Sequence, residues 1–94
     1  MPRLYHDFNK LFPGKEEGMA AAPLVCVGTK EDLKKLSLTL EDGMDVLLYM
    51  DDEDTDGKAG ALAVKAKVRY DPKEKCFMAD FIWNEMKFHP EALA

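Results

Sequence analysis

Residues 62–83 read LAVKAKVRYDPKEKCFMADFIW, and this stretch decides the fold. Leu62, Val64, Ala66, Val68 and Tyr70 alternate with Ala63, Lys65, Lys67 and Arg69, the period of two of a strand with one buried face. Asp71-Pro72-Lys73-Glu74-Lys75 is turn chemistry, with proline presetting the bend. Phe77, Ala79, Phe81 and Trp83 then alternate with Cys76, Met78, Asp80 and Ile82, so a second strand returns antiparallel to the first. That returning strand is apolar on both sides. Cover must come from residues 1–12, from Met86 and Phe88, or from a second copy in a homodimer through this hairpin.

Upstream, Asp45 to Met50 holds Val46, Leu47, Leu48 and Tyr49 between the turn signal Glu41-Asp42-Gly43 and an acidic stretch, which predicts a buried strand. Leu24-Val25-Cys26-Val27 is another short apolar run and predicts a strand ending at Gly28. Thr29 stands as a hydroxyl cap before a short helix near residues 30–36, where early acids, late lysines and leucines three apart fit. Residues 1–18 carry Leu4, Tyr5, Phe8, Leu11 and Phe12 and predict a peripheral segment, helical or irregularly extended, packed on the sheet. Asn84 to Phe88 suits a helical turn or a last short strand.

These elements give a mainly β fold bordering on α+β: a small antiparallel sheet or half-open barrel of about five strands with one short helix. Leu40-Glu41-Asp42-Gly43-Met44-Asp45-Val46, a glycine bend before a buried strand, resembles the entry to the first strand of SH3-like barrels. The layout is also similar to that of certain small uncharacterised bacterial proteins. What the resemblance implies is a small SH3-like β-barrel, which carries no function with it.

Ninety-four residues, 47% hydrophobic and 33% charged, make a single domain over 1–94 with a modest core. No apolar run approaches the roughly 18 residues of a membrane span, and the start MPRLYHDFNK lacks a leader pattern, so a cytoplasmic protein is expected. Cys26 and Cys76, each in an apolar segment, are expected as reduced thiols.

The net charge of −5 has one source. Asp51, Asp52, Glu53, Asp54 and Asp56 belong to an acidic inter-strand loop over 51–60, and without them thirteen acids face thirteen bases. The stretch YMDDEDTDGKAG, residues 49–60, contains two known patterns. Tyr49-Met50-Asp51-Asp52 matches the reverse-transcriptase YMDD, but such an enzyme needs a palm and template channel that this chain has no room for. Asp52, Asp54, Asp56 and Gly57 match the opening of an EF-hand calcium loop, because a hard cation wants converging carboxylates and a sharp turn. The place of the final bidentate glutamate is taken by Ala63, and the flanks are strands. Such a set would bind calcium on the order of 10⁻³ M or weaker. No cofactor is expected and no metal is assigned, with Asp52, Asp54 and Asp56 the weak candidates for one; the acids are read first as solvated charge that keeps two strand ends from pairing with other chains.

Other chemistry is thinner. His6, His89, Cys26 and Cys76 have no zinc-ligand spacing, and the histidines are expected at the surface. Ser37, the one serine, has no nucleophile motif around it. Asp80 is expected on the outer face, pairing across the hairpin with the basic row Lys65, Lys67 and Arg69. That row has no interleaved aromatic, so a nucleic-acid-binding barrel is the second choice, and a weak calcium-binding module on Asp52, Asp54 and Asp56 is the third. The first is a non-enzymatic module acting through protein–protein contact, as adaptor, accessory subunit or inhibitor of a basic partner steered by the acidic residues.

Overall fold

The computed structural model describes residues 1–53, 57 and 59–89, with only the backbone for residues 52 and 53. The elements in chain order are β1 (Arg3–Tyr5), β2 (Phe12–Pro13), β3 (Met19–Pro23), α1 (Val27–Lys35), β4 (Asp45–Glu53), β5 (Ala59–Asp71), β6 (Cys76–Ile82), a 3₁₀ turn (Trp83–Glu85) and β7 (Lys87–His89). The fold is mainly β. Seven strands form one open sheet in the order β1-β4-β5-β6-β3-β2, with β7 on β5. That is two more than expected, and the path from β1 to β2 does not close into a barrel.

The hairpin read from residues 62–83 is present, as β5 and β6 paired from Lys67↔Asp80 to Asp71↔Cys76. Its alternation sets the layers. Val64, Ala66, Val68, Ala79 and Phe81 face a core that also holds Leu4, Ala20, Ala22, Leu24, Val46 and Leu48. Phe8, Leu11, Leu33, Leu38, Leu40, Met44 and Met86 pack against it. Gly43, at φ +85°, makes the bend before β4, and its N–H donates to the Val68 carbonyl at 2.7 Å. A side chain at this angle would be strained.

Three expectations about the elements are corrected. The strand placed at 24–27 lies at Met19–Pro23, because the alanines 20–22 are 0–2% exposed between β6 and β2, where larger side chains would not fit. Val25 and Val27 are exposed instead, and the chain turns at Leu24–Cys26. The helix starts earlier than predicted, with Cys26 and not Thr29 at its N-cap. The sheet is not wholly antiparallel: β1 runs parallel to β4 through Arg3↔Leu47, Leu4↔Leu48 and Tyr5↔Tyr49.

The edge of β1 is closed by side chains of α1. Asp32 Oδ2 accepts the Tyr5 N–H at 2.8 Å, and the Thr29 hydroxyl donates to the Tyr5 carbonyl. The helix thus supplies the bonds a further strand would give, which protects an edge that would otherwise pair with another chain. At its other end a Schellman motif stops α1: Leu38 N–H donates to Leu33 C=O at 2.9 Å and Ser37 N–H to Lys34 C=O at 3.2 Å. Among the described residues no helix is long and apolar enough to cross a membrane.

Candidate functional site

The acidic stretch is built on strand. Asp51, Asp52 and Glu53, expected in a loop, continue β4 and pair with Ala61, Gly60 and Ala59. Those partners are small, and the backbone ladder runs on through them; Asp51 is exposed. On the other side of β4 the pairing stops sooner, at Tyr49, whose carbonyl accepts the His6 N–H at 3.0 Å. Alternate residues turn their backbone groups to alternate sides, and Leu47 and Tyr49 address β1. Asp51 is the next to face that way, and among the described residues its backbone has no partner there.

Other carboxylates share this end. Burial, then the charges of Asp7 and Asp51 among others, push the Tyr5 hydroxyl above its ordinary range. Tyr49 is raised by burial, by donating to Asp32 Oδ2 at 2.9 Å, and by the charges of Asp32 and Asp51, with Arg3 opposing. A cavity of about 190 Å³ lined by Arg3, Asp32, Lys35, Leu36 and Tyr49 lies beside them. The side chains of Asp52 and Glu53, and Asp54 and Asp56 entirely, lie outside the described residues, and so does the calcium-loop reading built on Asp52, Asp54 and Asp56.

The basic row lies on the outer face and is largely neutralised. Lys67 Nζ sits 3.1 Å from Asp45, and Arg69 Nε 2.7 Å and Nη1 3.1 Å from Asp80 and Asp71. Asp80 stands opposite Lys67 in register, yet the longer Arg69 takes it on the diagonal. The Asp80 hydrogen bond is the first cause holding the Arg69 guanidinium above its ordinary pKa. The expected pairing of Asp80 across the hairpin is present. Its exposure is corrected: the side chain is 10% accessible, with Lys15 at 3.8 Å covering it from the β2–β3 connection.

Lys65 has no ion pair among the described residues. Two shallow cavities of about 420 and 350 Å³ share Lys65 and Glu85, where β5 leaves β6 and has not yet met β7. Ile82, 44% exposed, lines the smaller of the two, and Trp83, the next residue, is 46% exposed. The last hairpin is thus only partly covered from within: Met78 is buried, and Ile82 is not.

One cluster escaped sequence reading. His6, expected at the surface, is fully buried, with Nε2 2.9 Å from the Lys10 carbonyl and Nδ1 4.0 Å from Cys26 Sγ. Cys26 Sγ also lies 2.9 Å from Thr29 Oγ1. Burial holds the His6 imidazole below its ordinary pKa, against a smaller upward pull from Lys10 C=O and Asp7. The clue in sequence is a cysteine directly before Val-Gly-Thr-Lys-Glu, a helix start that the apolar run Leu24–Val27 disguises as strand. Cys76 and His89 stand elsewhere, both cysteines are free, and among the described residues no three His, Cys, Asp or Glu groups are placed to hold a metal ion. Comparison with protein-family models, with curated proteins and with solved structures finds no match to this chain.

Proposed function

We propose that this chain is a non-enzymatic, cytoplasmic interaction module in which the acidic end of the β4–β5 hairpin steers a basic protein partner onto the sheet. One observation carries the reading: β4 runs on through Asp51, Asp52 and Glu53 after β1 has ended, so the acids stand on a strand edge with open backbone groups. Charge collected on one projecting edge raises encounter rates with a positive surface, and the backbone offers hydrogen bonds once contact is made. The neutralised outer row weighs against nucleic acid as the partner, because phosphates would have to displace carboxylates from Lys67 and Arg69. The likeness to SH3-like barrels rests on the β4–β5–β6 meander.

Affinity capture from native lysate tests this. A partner should be held at low salt and lost as salt rises, and it should be lost equally when Asp51, Asp52, Glu53, Asp54 and Asp56 are changed to Asn or Gln. Undiminished capture by that variant would remove the acidic edge from the reading.

A further inference from the structure

Cys26 has surroundings that the proposed contact leaves unused. It stands half-buried at the N-cap of α1 and makes no side-chain cap hydrogen bond, and among the described residues no other side chain caps the first-turn N–H groups. His6 comes at the sulfur from the end of β1. A carbonyl only accepts, so the hydrogen on His6 is at Nε2, donated to Lys10 C=O, and the lone pair at Nδ1 faces Sγ with no other hydrogen-bond partner among the described residues. Full burial favours the neutral form, in which Nδ1 is an acceptor. Thr29 spends its hydroxyl hydrogen on the Tyr5 carbonyl, so in the resting state the Cys26 S–H donates to Thr29 Oγ1, with Nδ1 as its alternative acceptor. The positive end of the α1 dipole lies beside the sulfur and favours negative charge developing there.

Cys76 is built the opposite way. Its S–H donates to Met78 Sδ at 3.8 Å, and burial, then the charges of Asp71 and Glu74, push its thiol pKa up.

We infer that Cys26 is a thiol-modification site that reacts by exchange with small-molecule disulfides, while Cys76 stays inert. Sγ attacks one sulfur of the disulfide, and the Cys26 proton moves to His6 Nδ1. The S–S bond breaks, and His6 returns to its neutral form by passing that proton to the leaving thiolate or to solvent. Cys26 ends as a mixed disulfide, oxidised by the disulfide that is itself reduced. None of the three cavities described above is lined by Cys26, which suits a small reagent arriving from solvent over a substrate that needs a pocket.

The intact chain is treated with 5,5′-dithiobis(2-nitrobenzoate), the released thiolate is followed by absorbance, and the modified cysteine is located by peptide mass. Cys26 should react at least roughly tenfold faster than Cys76. The fast phase should survive Cys76→Ser and vanish in Cys26→Ser. His6→Gln should slow Cys26 by roughly tenfold or more while Cys76 stays slow. Unfolding of that variant would instead accelerate Cys76, so it cannot mimic the expected result; in that case the wild-type ratio decides, and it should collapse toward one in urea. Equal rates in the folded wild-type chain, a faster Cys76, or a folded His6→Gln chain with an unchanged Cys26 rate would overturn the inference.

Discussion

Ser37 sits at φ 49° one residue beyond the C-cap of α1, the left-handed place where a Schellman motif usually puts glycine. Nothing in Leu36-Ser37-Leu38 announces that conformation, so the helix end was legible only to within a residue or two. Because a β-carbon is disfavoured at this angle, Ser37→Gly should raise stability by about 0.5–1 kcal/mol in urea unfolding, the relief of strain exceeding the added chain entropy. His6 was misread for a related reason: its neighbours Asp7, Asn9 and Lys10 are polar, but the turn closed by Lys10 N–H to Asp7 C=O folds them outward and the imidazole inward. The His6 pKa is lowered by folding, so the unfolded chain binds the proton more readily. The contribution is intact above the unfolded value near 6.5 and is lost as pH falls from there toward the folded value. Stability measured across that window should decline with acidity, and a chain with His6→Gln should lack that part of the slope.

At the scale of elements, what was legible was whatever repeats. The hairpin of β5 and β6 followed from strict alternation and a proline turn, and the strand at Asp45 from its flanking signals. β3 was missed because Met-Ala-Ala-Ala-Pro has no strand propensity; burial on both faces selects small residues there and overrides propensity. β1 was only half read, since its pairing with β4 is non-local and its edge is satisfied by α1 side chains. The contact of α1 with β1 makes a sharp prediction at Gly28, where an added β-carbon would overlap the Tyr5 ring. Alanine is a better helix former than glycine by about 1 kcal/mol. Overpacking typically costs about 1–3 kcal/mol, and Tyr5 is pinned by Asp32, by Thr29 and by edge contact with Tyr49 at 5.9 Å. Gly28→Ala should therefore destabilise by about 1–2 kcal/mol in thermal or urea unfolding, against the helix propensity.

Over the whole molecule, charge and core are segregated. The buried face of the sheet carries the stability, the outer face pairs most of its bases with acids, and the excess negative charge stands at one end of one hairpin. That segregation was legible from counting residues, whereas the strand edge beneath the acids was not, because nothing local says that β1 stops at Tyr5 while β4 continues. Steering by such an edge acts on encounter more than on the lifetime of a complex. The most direct measurement is therefore the association rate of the captured basic partner, followed by stopped flow at low and at physiological salt. The rate should fall steeply with salt for the native chain, and replacing the five acids by Asn or Gln should lower the low-salt rate by roughly tenfold or more with little change in dissociation. A rate insensitive to both salt and the five substitutions would contradict the account.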